Sequence, residues 1–184
     1  MEQPQGIELF KQRAQTVQTV VSEVGNMQEA LDYAIELTRK QGGSSVAAPA
    51  MGKSANALKT LCKKNGLDLF TKDLREKMGT IHTGLTMAEW GIAETASLVV
   101  DSASEDLRIA TMLSETHVAI LPKSRIVLNS AALEREMTHK FESGPGYLAF
   151  ISGASRTADI ERVLAIGVHG PQELHVLILE EDRS

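Results

Sequence analysis

From Asn26 onward, short apolar runs alternate with stretches in which apolar residues recur every three or four positions. The run Val118-Ala119-Ile120-Leu121 has no polar member, which suits a strand buried on both faces. Similar strand patterns stand at Ser45–Ala48, Leu67–Phe70, Ile92–Val100, Tyr147–Ile151 and Glu173–Leu179. Between them lie helical patterns near Ser54–Lys64, Glu105–Ser114 and Asn129–His139, and a short one from about Thr157. Asn26 with Glu29 three residues on reads as a helix cap, and Gly42-Gly43 stops the helix that follows. Such alternation predicts an α/β fold, a mostly parallel sheet flanked by helices. No linker, low-complexity tract or fixed-period repeat divides residues 26–184, so they read as one α/β domain.

Ahead of it, Ile7, Phe10, Ala14, Val17, Val21 and Val24 form a narrow helical stripe ending at Gly25. Residues 1–25 therefore read as an N-terminal helical extension. Its stripe can pack on its own domain, or on a second copy of the chain to make a homo-oligomer.

Composition narrows the function classes. The net charge is −5 and aromatic residues make up 4%, which disfavours a nucleic-acid footprint. The single cysteine, Cys62, cannot ligate an iron–sulfur cluster alone or form an internal disulfide. It lies on the apolar side of a helical pattern with Leu58 and Leu61, and reads as a small core residue. No apolar run approaches the roughly 20 residues that span a bilayer, and Met1-Glu2-Gln3-Pro4 does not read as a signal peptide. Together with the lone thiol, this leads to an expectation of a cytoplasmic protein without membrane insertion.

Several motifs fail on inspection. Gly52-Lys53-Ser54 ends like a P-loop, but Ala47 stands where the first glycine is required, so a plain helix start is the better reading. Gly144-Pro145-Gly146 precedes a strand, whereas a dinucleotide fingerprint follows one. The five histidines show no metal-ligand spacing, and His117 and His175, inside strand patterns, read as structural.

Three segments are unusual for a simple core. In Gly91-Ile92-Ala93-Glu94-Thr95-Ala96-Ser97-Leu98-Val99-Val100, Glu94 and Thr95 interrupt an apolar strand. A carboxylate buried there must be paired, protonated or solvated by a pocket; the alternative is that Glu94 points outward or pairs structurally. In Ile151-Ser152-Gly153-Ala154-Ser155-Arg156-Thr157-Ala158-Asp159-Ile160-Glu161, a strand ends, a loop of small residues follows and a helix is expected. Ser155 or Thr157 can cap that helix, Asp159 can complement its dipole, and Arg156 beside free N–H groups makes an anion site. The loop follows a strand's carboxyl end, where open α/β sheets bind ligands. In Gly167-Val168-His169-Gly170-Pro171, His169 is placed to carry a proton or donate a hydrogen bond, or it is a turn histidine without a role.

Together the segments resemble the LUD domain family, which includes lactate-utilisation C proteins. The resemblance rests on Gly84-Leu85-Thr86 leading into Gly91–Thr95, on Ser152–Glu161, and on Gly167–Pro171 followed by Leu174-His175-Val176, in the family's order. It implies a fold like the NagB, ribose-phosphate isomerase and CoA-transferase group. It also implies a part in oxidising L-lactate to pyruvate beside two iron–sulfur partner proteins, which hold the clusters; no cofactor is expected in this chain. The chain departs from the family at Ala96-Ser97, where Gly-Thr is usual, and at Ala154, where proline is common.

On this reading Glu94 and His169 transfer protons or orient the acid, while Arg156 and Thr157 hold its carboxylate. Thr86, Thr95 and Ser152 supply hydrogen bonds, with Gly153, Ser155 and Asp159 completing the ligand loop. The alternatives are a stand-alone isomerase or transferase acting on a phosphorylated sugar or CoA ester, and a non-catalytic ligand-binding module.

Overall fold

A computed structural model describes residues 2–141, 146–157, 165–166 and 170–180. The helices are α1 (Glu2–Thr16), α2 (Met27–Lys40), α3 (Ala55–Lys64), α4 (Glu105–Met112) and α5 (Ser130–Phe141). The first strands are β1 (Val20–Val24), β2 (Ser45–Ala47), β3 (Asp68–Phe70), β4 (Thr83–Met87), β5 (Trp90–Ile92) and β6 (Ser97–Asp101). They are followed by β7 (Thr116–Pro122), β8 (Ile126–Val127), β9 (Leu148–Ile151), β10 (Arg156–Thr157), β11 (Ala165–Ile166) and β12 (Glu173–Leu179).

Six strands pair parallel throughout, in the order β1-β12-β7-β4-β2-β3. This is the expected α/β architecture. Strand β7 shows why its run Val118–Leu121 lacks polar residues. Val118 and Ile120 pack into a core with Ala30, Leu31 and Leu58 from α2 and α3, while Ala119 and Leu121 face Phe10, Ala14 and Leu98 on the other side. Burying a leucine, isoleucine or phenylalanine fully contributes about 1.5–3 kcal/mol, so β7 ties both layers to the sheet. Cys62 belongs to the α2–α3 core, and burial pushes its thiol up to about 11, leaving it unreactive at neutral pH.

Local signals explain several boundaries. The Asn26 side chain accepts from the Glu29 N–H at 3.0 Å, and Glu29 accepts in return from the Gly25 N–H at 2.7 Å, a reciprocal cap for α2. A 3-10 turn over Gly52–Ser54 leads into α3, so that segment is a helix start. Gly84 lets α4 lie directly on β4: a Cβ there would stand 1.9 Å from the Ala110 carbonyl oxygen.

The N-terminal segment corrects one expectation. The helix does not run to Val24; it ends at Thr16, and Val20–Val24 form an edge strand parallel to β12. Apolar residues at 17, 20, 21 and 24 keep the helical three–four spacing, but the β-branched run Thr19-Val20-Val21 favours a strand, and β12 supplies its partner. Ile7, Phe10 and Ala14 are buried in the core shared with β12 and β6, so this part of the stripe packs on its own domain.

Ile92–Val100 is likewise not one strand. It is the hairpin β5–β6, with a turn over residues 93–96, inside a second sheet ordered β8-β5-β6-β9. The turn escaped detection because its ends, Ala93 and Ala96, are apolar and fully buried. Ala96 holds φ +50°, a left-handed conformation that favours glycine, which is the residue the family resemblance leads one to expect there. One face of this sheet joins the central core, and Leu133 of α5 covers Trp90, Ile92 and Val99 on the other.

The helix expected from about Thr157 does not begin there. Arg156 and Thr157 are extended and pair antiparallel with Ile166 and Ala165. Among the described residues, no helix is long and apolar enough to cross a membrane.

A candidate anion site at the end of helix α1

The last turn of α1 closes with two hydrogen bonds. The Thr19 N–H donates to the Ala14 carbonyl at 2.9 Å, and the Gln18 N–H to the Gln15 carbonyl at 3.2 Å. This is the Schellman pattern, whose left-handed position is usually glycine. Here it is Gln18, with φ +54°.

The loop after β9 docks on this turn. Gly153 lies so close that a Cβ would stand 2.5 Å from the Val17 carbonyl oxygen, and its φ of +78° also suits glycine. Both Nε and Nη2 of Arg156 donate to Oε1 of Gln18, the former at 3.1 Å. Nη1 donates to the Ser155 carbonyl at 2.8 Å. Among the described residues no carboxylate pairs with Arg156. Among the described residues its guanidinium is held by neutral oxygens.

A chain of hydroxyls adjoins the loop. Thr95 Oγ1 lies 2.7 Å from Ser97 Oγ, which in turn bonds Ser152 Oγ. Ser97, one of the residues that depart from the family pattern, is thus the middle link. The Ser155 N–H donates to the Pro171 carbonyl at 2.9 Å. A cavity of about 260 Å³ is lined by Gly153, Ser155, Gly170 and Pro171 together with Met112, Leu113 and Ile151. The Glu94–Thr95, Ser152–Arg156 and Gly170–Pro171 segments, far apart in sequence, therefore come to one region.

The placement of individual residues differs from expectation in three respects. Glu94 is exposed in the β5–β6 turn, and its Oε1 accepts from the Ser130 N–H at 3.0 Å, at the start of α5. It is not a carboxylate inside an apolar strand. Thr86 is fully buried, with its hydroxyl 2.8 Å from Nε2 of His117. Third, the loop's relation to the parallel sheet is reversed. Val17, Met112 and Pro171, which it touches or adjoins, precede β1, β7 and β12 respectively. The loop follows β9 of the second sheet, but it lies at the amino edge of the parallel one, so the rule that ligands bind at carboxyl edges does not support it.

His169, Asp159 and the side chain of Thr157 lie outside the described residues. Sequence reasoning missed Gln18 altogether: read as mid-helix, it carried no signal. His175 is structural as expected, buried between the Tyr33 hydroxyl and the Glu173 carboxylate, each at 2.8 Å.

Comparison with known proteins agrees with this architecture. A crystal structure of a DUF162 family protein from Deinococcus radiodurans superposes with a TM-score of 0.62 over 97% of this chain and 99% of that one, at 18% identity. A Halalkalibacterium halodurans protein named lactate utilization protein C is 36% identical over 111 residues, 59% of this chain and 48% of the relative. The chain thus spans about half the length of that relative. Escherichia coli YkgG is 30% identical over 98% of this chain and 82% of its own length. A family model for the LUD domain matches residues 7–179, from within α1 to the end of β12, and the chain belongs to the LUD domain family.

Proposed function

We propose that this protein takes part in lactate utilisation as the subunit that handles the carboxylate substrate, with the iron–sulfur clusters in two separate partner proteins. The observation that carries the reading is Arg156, a guanidinium anchored by neutral acceptors and free of any carboxylate among the described residues. A second support is the name borne by the Halalkalibacterium relative.

Oxidising L-lactate to pyruvate removes two protons and two electrons, from the hydroxyl O–H and the C–H of carbon 2. On this reading Arg156 and Thr157 hold the carboxylate, with Asp159 a further residue of the ligand loop. Thr95 and Ser152 hydrogen-bond the substrate, and Glu94 or His169 accepts the hydroxyl proton. The C–H bond of carbon 2 breaks, and its proton and the two electrons would both leave to the iron–sulfur partner system, since a single buried cysteine offers no ligand set for a cluster here.

The test is titration of the full chain with L-lactate, pyruvate and inorganic phosphate. Saturable carboxylate binding that weakens about ten- to hundredfold in Arg156→Ala, the range expected for a lost charge-assisted contact, supports the reading. Preference for phosphate over both carboxylates, or no carboxylate binding, overturns it; the former points to a phosphorylated substrate.

A further inference from the structure

Gln18 occupies a position where a left-handed backbone is required and glycine is the usual choice. Placing a side chain there strains the backbone. The side chain is exposed, so burial does not compensate for the strain. Among the described residues its side chain presents Oε1 to two nitrogens of Arg156.

We propose that Gln18 is a positioning and specificity residue: it fixes the Arg156 guanidinium by a neutral acceptor so that the full positive charge remains available to a carboxylate ligand. This rests on the reading of Arg156 as the carboxylate clamp. The chemistry of the acceptor decides the outcome. A glutamate at this position would make the same contacts with almost the same shape, but it would form a salt bridge and cancel the charge. An alanine or glycine would leave the long arginine side chain to sample many rotamers, and ordering them on binding weakens affinity. The carbonyl end of α1 carries only about half a negative charge, so the helix by itself does not neutralise Arg156. An amide is the acceptor that orders the guanidinium without neutralising it.

The inference makes stability and affinity move in opposite directions. Gln18→Gly relieves the strained backbone, so its Tm should stay level or rise by up to about 2–4 °C, while L-lactate binding weakens several-fold. Gln18→Glu should hold its Tm or raise it through the new ion pair, while L-lactate binding weakens at least about tenfold. A residue with a merely structural role would lower both quantities or leave affinity alone. The experiment is calorimetric titration of wild type, Gln18→Glu, Gln18→Gly and Arg156→Ala with L-lactate, beside thermal unfolding of each. If wild type binds and Arg156→Ala does not, yet both Gln18 variants bind like wild type, this inference is overturned and the carboxylate reading stands. If wild type itself does not bind L-lactate, the carboxylate reading fails and this inference falls with it.

Discussion

The hydroxyl of Thr86 on β4 lies 2.8 Å from Nε2 of His117 on β7, with Thr86 fully buried and His117 all but fully. The other ring nitrogen, Nδ1, has no partner among the described residues. With one hydrogen bond among the described residues, the imidazole cannot readily hold a positive charge, and burial pushes His117 down to about 4.

Acidification should therefore destabilise the protein through His117. Above about pH 6.5 the ring is neutral in both the folded and the unfolded chain, and pH has no effect through it. Between about pH 6.5 and 4 the unfolded chain binds a proton that the folded chain refuses, so stability falls as pH falls, by up to about 3 kcal/mol. Urea unfolding of wild type and His117→Gln at pH 7.5 and 5.0 checks this: the variant should lose less stability between the two values. Equal losses would show that other groups account for the acid sensitivity.

Glu94→Gln should leave the fold intact. The amide oxygen can still accept from the Ser130 N–H, and only the attraction between a carboxylate and the start of α5 is removed, about 0.3–1 kcal/mol. Thermal unfolding measures that loss. If Glu94 accepts the substrate proton, lactate oxidation by the complex assembled with its partners should fall much further than stability does. Full specific activity in the variant would restrict Glu94 to capping α5.

Arg156→Lys separates charge from geometry. Lysine keeps the positive charge but lacks the planar fork that reaches Gln18 and the Ser155 carbonyl together. L-lactate affinity should fall about three- to tenfold, between wild type and Arg156→Ala, as one directed hydrogen bond is lost. Wild-type affinity in the lysine variant would mean that any nearby cation suffices.

Gly84→Ala should be among the most damaging single-methyl additions. The new Cβ would stand 1.9 Å from the Ala110 carbonyl oxygen and 2.9 Å from Ser114 Oγ, so α4 must move off β4. Overpacking of this kind costs about 1–3 kcal/mol or more. A shift in the urea midpoint corresponding to less than about 0.5 kcal/mol would show that α4 shifts freely over the sheet.

The α/β class, most of the parallel strands and the cap at Asn26 were legible from residue order, because apolar period and capping chemistry are local properties. A strand buried on both faces announces itself through Val118–Leu121, and a reciprocal cap through Asn26 and Glu29. The family blocks were legible for the same reason, since each is a contiguous stretch. Only the tertiary structure decided that Val20–Val24 extend the sheet, since Val17, Val20, Val21 and Val24 keep a helical spacing that pairing with β12 overrides. It also decided that Glu94 is exposed and caps a helix, because a turn with buried alanines at its ends looks like a strand interior in sequence. The link between Gln18 and Arg156 joins residues separated by 138 positions through a left-handed backbone that no composition or period records. Side-chain direction at such a turn follows from the backbone angle and from what packs against it, and both are set by the fold as a whole.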